Sequence, residues 1–176
     1  MNDTAVFLGR FSPFQRGHAS IVEEMIRVNG MENCLIMIGS SNTLNERTPY
    51  TYEQRAEMVK AVFPEIKTIP LPDGKPGLVY FDGSTNEEWL DNIEKIQKEQ
   101  QTKFVFYGGS KEDLEILAQR FETVVLVDRK KSPEITATNV RSALDKNDQE
   151  MLEKLLDQRV IPLAKKYYQE FKKNNE

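Results

Sequence analysis

The most informative stretch of this 176-residue chain is Gly9-Arg10-Phe11-Ser12-Pro13-Phe14-Gln15-Arg16-Gly17-His18, which contains the only histidine. Before it, residues 4–8 form a short apolar run that is typical of a buried strand. After it, apolar residues recur at helical spacing from Ile21 to Ile26, and Gly30 ends the pattern. The sequence therefore predicts a strand, a loop and a helix over 18–29.

His18 falls in the first turn of that predicted helix. The first N–H groups of a helix lack partners within it, and the positive end of the helix dipole lies there. An anion bound at this turn would meet the imidazole and the amides together, and Gly17 would let it approach the backbone. The pattern predicts a phosphate site, with a histidine that only caps its helix as the alternative.

Residues 10–18 resemble the G-R-F-x-P-F-H-x-G-H signature of the HIGH-type nucleotidyltransferases, whose second histidine corresponds to His18. The resemblance implies catalytic roles on phosphates for Arg10 and His18. It also implies an ATP site that includes Gly9, Phe11, Gln15, Gly17 and His18. Gln15 stands where that family usually has His or Thr, and an amide donates a neutral hydrogen bond but cannot become cationic.

A second match to the same family is Ile135-Thr136-Ala137-Thr138-Asn139-Val140-Arg141, which resembles its I-S-x-T-x-I-R motif. The resemblance implies that Thr136, Thr138 and Arg141 bind the ATP triphosphate, with Arg141 also catalytic. Thr138 is a good N-cap for a helix over 138–145, so both hydroxyls and the helix N–H groups can converge on phosphate oxygens. An ordinary threonine cap followed by a surface arginine is the alternative.

A third stretch, residues 38–58, is similar to a region of archaeal-type nicotinamide mononucleotide adenylyltransferases, which also occur fused to Nudix domains in bacteria and phages. The likeness implies that Ser40 and Arg47 bind the nicotinamide nucleotide. Arg47 lies mid-loop, where a cation could close over phosphates or simply be solvated. Thr51 and Gln54 have the spacing of a capping box that opens the next helix.

Trp89 is the only tryptophan and follows Asn86 at the start of a predicted helix. The same family carries an Asn and then a Trp at the corresponding place, and its Trp packs on the nicotinamide ring. An indole face suits a flat cationic pyridinium through stacking and cation–π attraction. Because Ile93 and Ile96 share the helical face of Trp89, core packing is the alternative.

Charge and composition limit the classes of protein. The net charge of -4 argues against general nucleic-acid binding. The only cysteine, Cys34, lies in an apolar strand and cannot form an intramolecular disulfide, which suits a reducing compartment. The chain shows no signal peptide or long apolar span, so we expect no membrane association and a cytoplasmic location.

Strands and helices alternate along the chain. Strands are predicted at 4–8, 33–38, 66–71, 103–107 and 122–127, and helices at 18–29, 51–63, 86–100, 111–121, 138–145, 148–158 and 162–173. This order predicts one α/β domain over 1–176, with a doubly wound, mostly parallel, Rossmann-like sheet. A helical C-terminal extension, 146–176, is expected to pack on it. The motifs then lie at the carboxyl ends of the strands, where such sheets bind ligands.

The resemblance implies an adenylyltransferase that makes NAD and pyrophosphate from ATP and nicotinamide mononucleotide. Mg²⁺ would accompany ATP and bridge phosphate oxygens, with no dedicated protein metal site. A homo-oligomer is compatible with this interpretation. Two alternatives stay open: a relative with another acceptor (pantetheine phosphate, a flavin phosphate, or a CTP-dependent reaction), and a nucleotide-binding module without catalysis.

Overall fold

The computed structural model describes residues 3–74, 85–108, 110–126 and 135–176. Its strands are β1 (Asp3–Gly9), β2 (Cys34–Ile38), β3 (Lys67–Pro70), β4 (Lys103–Tyr107) and β5 (Glu122–Val124). Its α-helices are α1 (Arg16–Asn29), α2 (Tyr52–Val62), α3 (Asn86–Gln100), α4 (Lys111–Leu117), α5 (Ala137–Lys146), α6 (Gln149–Leu155) and α7 (Ile161–Asn174), with a short 3-10 helix (Met31–Asn33) before β2. Each predicted strand and helix is present.

Two predicted helices end early. The helix α4 stops at Leu117 because, after Ala118, the N–H groups of Gln119 and Arg120 bond three residues back in a tightened turn. The helix α6 stops at Leu155 because the next residue is extended. The last strand, predicted at 122–127, ends at Val124, and residues 125 and 126 are not part of it. Gly109 and residues 127–134, which include the last residue of that prediction, lie outside the described residues.

The sheet is parallel throughout its described strands, in the order β3-β2-β1-β4-β5. The chain builds outward from β1 through β2 to β3, then returns to place β4 on the other side of β1. The switch in strand order therefore lies between β1 and β4. This confirms the prediction of a doubly wound, Rossmann-like sheet.

The sheet is covered on both faces, which explains its continuous apolar strands. In β1, Ala5 and Phe7 join a core with α1, α2 and the C-terminal helices. Val6 and Leu8 face the opposite way and join a second core with α3 and α4. Since successive residues of a strand point to opposite faces, a strand buried on both sides must be apolar at every position.

The C-terminal helices pack on the first of these cores. The buried Tyr50, at the end of the loop after β2, donates its hydroxyl hydrogen to the carbonyl of Ala164 in α7 at 3.0 Å. Tyr168 of α7 donates to Asp145 of α5 at 2.9 Å. These bonds fix α7 to both the β2 loop and the helix that carries Arg141.

Among the residues that the structure describes, no helix is long and apolar enough to cross a membrane.

Candidate functional site

The loops that carry the first and third motifs lie at the carboxyl end of the parallel sheet. The loop after β1 contains residues 10–15, and the loop after β2 contains residues 39–51. The two loops are joined at their start, where the Gly39 N–H donates to the Gly9 carbonyl at 2.8 Å. Because β1 and β2 are neighbours, both loops lie on one rim of the sheet, next to the switch in strand order.

His18 occupies the third position of α1, in the first turn as predicted. Its ring contacts three aromatic rings, those of Phe7, Phe11 and Phe14, at centroid distances of 6.0, 5.0 and 5.8 Å. The Gln15 backbone N–H donates to Nδ1 of His18 at 3.1 Å. Because Nδ1 accepts this bond, the neutral ring carries its proton on Nε2.

Gln15 is the N-cap residue of α1, which the sequence analysis did not anticipate. It forms a capping box with His18: the Gln15 side chain binds the His18 backbone N–H, and the imidazole binds the Gln15 backbone N–H. Gln15 is only 7% exposed. Gln15, which stands where the family usually has His or Thr, is therefore part of the capping box that orients His18.

Gly9 and Phe11 shape the entry to this loop. A Cβ atom on Gly9 would lie 2.9 Å from the Phe11 ring, so any larger residue would push that ring aside. Phe11 is buried and packs edge-on against Phe7 at 5.1 Å. It also has a φ of 50°, in the left-handed region that non-glycine residues rarely adopt. Arg10 is exposed and Gly17 is half-buried.

Arg55 of α2 is the residue of this region that the sequence analysis missed. Its side chain is fully buried and donates to the carbonyls of Arg10 (3.0 Å), Gly39 (2.8 Å), Ser40 (3.0 Å) and Thr51 (3.3 Å). No carboxylate of the described residues forms an ion pair with it. Burial and, to a smaller extent, the nearby Arg10 charge lower the pKa of Arg55 to about 10.

A sequence signal for Arg55 exists in its helical position. Arg55, Met58, Val59 and Val62 follow the spacing of one helical face, and Met58 and Val59 are fully buried. An arginine on an apolar face must either be displaced to the surface or bind buried acceptors. The Thr51 and Gln54 capping box at the start of this helix is confirmed.

Ser40 and Arg47 differ in their surroundings. Ser40 is buried, has a φ of 47°, and is tied to the first loop because its carbonyl and that of Arg10 bind the same guanidinium. Arg47 lies in an exposed turn that Asn45 closes by accepting the N–H groups of Arg47 and Thr48. The structure therefore links Ser40 to the first motif through Arg55, whereas Arg47 is exposed.

The second motif begins α5, and here one prediction was wrong. The N-cap is Thr136, whose hydroxyl accepts the Asn139 N–H at 3.1 Å. Thr138 lies inside the helix, because Thr136 has the extended backbone that a cap requires and the helix starts directly after it. Thr138 contacts Arg141 instead, with 3.5 Å between its Oγ1 and Nη2 of Arg141.

Arg141 is the fifth residue of α5, one turn inside the helix, and is half-buried. Burial raises the pKa of Tyr50 well above its usual range, while the Arg141 charge acts on that phenol in the opposite direction. The second motif is therefore electrostatically coupled to the loop after β2. Val140 of the second motif and Tyr50 of that loop belong to the same core as Phe7, whose ring the His18 ring contacts.

Trp89 lies on the other face of the sheet. It is in the first turn of α3, half-buried, and packs against the second core near Leu90 and Ile93. Three residues further along, Asn92 donates to the Gly74 carbonyl at 2.9 Å, which places this end of α3 near the loop after β3. The core packing that was one interpretation of Trp89 is present, and its stacking on a ligand stays a prediction.

The described residues contain no group of three or more His, Cys, Asp or Glu side chains that could hold a metal ion.

Comparison with known proteins decides the family. The model of the Cytidylyltransferase-like family matches residues 6–143, which include the motifs at 9–18 and 135–141. The chain belongs to this family. This match confirms the prediction that the chain is a HIGH-type nucleotidyltransferase. No curated protein matches it in sequence.

Three solved structures share the fold. A NadR protein in complex with NAD and AMP-PNP is 17% identical, with a TM-score of 0.59, covering 83% of this chain and 43% of the other. A bifunctional NMN adenylyltransferase/ADP ribose pyrophosphatase from Francisella tularensis is 21% identical, with a TM-score of 0.63, covering 99% of this chain and 53% of the other. The Plasmodium falciparum nicotinic acid mononucleotide adenylyltransferase is 14% identical, with a TM-score of 0.63, covering 98% and 96%.

This Cytidylyltransferase-like chain thus spans about half the length of the first two structures, at 43% and 53%. At these identities the likeness shows the fold alone, so the substrates must be argued from the site.

Proposed function

We propose that this chain transfers the adenylyl group of ATP to the phosphate of nicotinamide mononucleotide, producing NAD and pyrophosphate. The observation that carries the proposal is the oriented His18, held by the Gln15 N–H at the start of α1, on the rim where the motif loops meet. Supporting it, structures with this fold include adenylyltransferases named for NMN and for nicotinic acid mononucleotide.

The reaction needs no protein nucleophile. The acceptor phosphate is an anion near neutral pH, and it attacks the α-phosphorus of ATP while the bond to pyrophosphate breaks. Catalysis then consists of holding the two substrates in line and stabilising the charge that grows on the leaving group. A fixed donor such as Nε2–H of His18, at the positive end of α1, suits that task.

The ATP end of the site would use both helix starts. The Thr136 hydroxyl accepts the Asn139 N–H, so its own hydrogen can be donated to a phosphate oxygen. Arg141 and Arg10 would neutralise phosphate charge, and Thr138 is close enough to Arg141 to help hold its guanidinium. Gly9, Phe11, Gln15 and Gly17 would complete the loop around the phosphates.

The acceptor end would use Ser40, Arg47 and Trp89. Ser40 is already tied to the first loop, whereas the exposed Arg47 would have to close over the acceptor phosphate. Trp89 would offer the exposed part of its ring to the pyridinium.

Mg²⁺ fits this arrangement as a companion of ATP. Because the described residues offer no cluster of ligating side chains, triphosphate oxygens and water would hold the ion. When bound, it would supply charge neutralisation at the phosphates. A cytoplasmic location and self-association remain predictions.

The test is a substrate panel. The purified protein is incubated with ATP or CTP and with each of four acceptors: nicotinamide mononucleotide, nicotinic acid mononucleotide, pantetheine phosphate and a flavin phosphate. Products are identified by mass spectrometry. We expect the highest kcat/KM for ATP with nicotinamide mononucleotide. A higher value for another pair would refute the assigned substrates, and no product with any pair would favour the binding module.

A further inference from the structure

One buried side chain, that of Arg55, forms hydrogen bonds with both loops at the rim of the sheet. The guanidinium of Arg55 binds the carbonyls of Arg10 in the first loop and of Gly39 and Ser40 in the second, besides that of Thr51, the N-cap of its own helix. A planar group with five N–H donors is the side chain suited to joining several carbonyls at once. An apolar side chain, or one with a single N–H or O–H donor, could not replace these hydrogen bonds.

Those bonds determine the orientation of the peptide groups that follow. In a trans peptide the N–H points opposite to the preceding carbonyl. Because the Arg10 and Gly39 carbonyls point to Arg55, the N–H groups of Phe11 and Ser40 are turned away from it. Phe11 and Ser40 also have φ values of 50° and 47°, a strained conformation that persists only when its surroundings hold it in place.

Stability alone gives little reason for an arginine at this position. A fully buried cation without a carboxylate partner among the described residues is costly, and apolar residues of similar size are often tolerated better. The other buried residues of the same face, Met58 and Val59, are apolar. The distinctive contribution of Arg55 is its set of bonds to the loops.

We propose that Arg55 is a positioning residue for the transfer reaction: through the carbonyls of Arg10, Gly39 and Ser40 it fixes both rim loops in the geometry that binds the substrates. The kinetic part of this inference rests on the proposed function. Its structural part, that Arg55 orders the two loops before any substrate arrives, does not.

The experiment compares Arg55→Lys with Met58→Ala. The lysine keeps the charge and the stem but cannot bind three loop carbonyls in a plane. Met58→Ala creates a cavity in the same helix, and because methionine has no N–H or O–H to donate, it removes no hydrogen bond to a loop carbonyl, so it controls for lost stability. Hydrogen exchange is followed in peptides containing the N–H groups of Gly39, Ser41 and Thr43, which are hydrogen-bonded in the loop after β2, and in peptides covering residues 9–15.

We expect both loops to exchange at least about tenfold faster in Arg55→Lys than in Met58→Ala, at matched distance below each Tm. In the NAD assay, kcat of Arg55→Lys should fall by about 10²-fold, because small displacements of positioned groups have effects of that size. Met58→Ala should keep most of its turnover. Loop exchange equal to that of Met58→Ala, or an unchanged kcat in Arg55→Lys, overturns the proposal.

A second variant covers the case in which Arg55→Lys does not fold. Arg55→Ala is measured with millimolar guanidinium or methylammonium, of which only guanidinium can bind several carbonyls in one plane. Recovery of loop protection with guanidinium alone supports the proposal, and equal effects of the two ions contradict it. A wild-type protein that makes no NAD refutes the proposed function instead, and the exchange comparison still decides whether Arg55 orders the loops.

Discussion

His18 has two functions in this account, and two substitutions separate them. Its Nδ1 accepts the Gln15 N–H and so stabilises the start of α1. Its Nε2–H is assigned to the leaving pyrophosphate. In His18→Asn the side-chain oxygen can replace Nδ1, but no donor reaches the Nε2 position. In His18→Gln the amide nitrogen can replace Nε2, but the acceptor for the Gln15 N–H is lost.

The magnitudes follow from these contacts. Loss of one donor to a developing charge costs about 10²–10³ in kcat, or about 2.7–4 kcal/mol. Leaving the N–H of Gln15, a residue only 7% exposed, without its acceptor costs about 1–3 kcal/mol of folding free energy. For a chain of this length that is about 2–12 °C in Tm.

The assay is steady-state turnover together with thermal unfolding for both variants. We expect His18→Asn to unfold near the wild-type Tm and to lose about 10²–10³ in kcat with a smaller change in KM. We expect His18→Gln to lose stability and to keep more of its kcat. The reasoning is refuted if His18→Asn turns over like the wild type, or if the two variants lose stability and activity in the same proportion.

Three further predictions concern single residues. Gln15→Ala should reduce transition-state stabilisation, measured from kcat/KM, by about 1–3 kcal/mol, because the cap and an amide donor are both lost. Gln15→His should stay active and show a steeper dependence of rate on pH between about pH 6 and 8. Wild-type rates in Gln15→Ala would exclude contact of Gln15 with the phosphates. Trp89→Ala should raise the KM for nicotinamide mononucleotide and not that for ATP, since stacking contributes about 0.5–2 kcal/mol; equal changes in both would leave only core packing. Burial raises the pKa of Cys34 to about 11, so iodoacetamide should not modify the folded protein at neutral pH, and rapid alkylation without unfolding would contradict this. The contribution of Cys34 to stability is present below its unfolded pKa and should be lost as pH rises through the folded pKa of about 11.

The sequence predicted the elements and the rim correctly because both depend on local patterns and connection order. Continuous apolar strands alternating with amphipathic helices specify a covered parallel sheet, and loops after such strands must meet at one edge. The position of His18 in the first turn of α1 followed from the same periodicity.

The errors and omissions concern features that tertiary contacts or backbone angles determine, rather than local sequence patterns. Thr136 and Thr138 are both plausible caps by residue type, and only the extended backbone of Thr136 selects it. The Gln15 and His18 pair departs from the usual capping-box residues, so its reciprocal bonds were not anticipated. Arg55 binds carbonyls from loops up to 45 residues away, a contact that no local pattern contains.

Measuring NAD and pyrophosphate together is the most direct test of the proposed adenylyl transfer and of the role of His18 in it. Wild-type protein and His18→Asn, purified in the same way, are incubated with ATP, nicotinamide mononucleotide and Mg²⁺. We expect equal amounts of NAD and pyrophosphate from the wild type, and at least about 10²-fold less of both from the variant. No NAD from the wild type, or the same rate from both proteins, would contradict it.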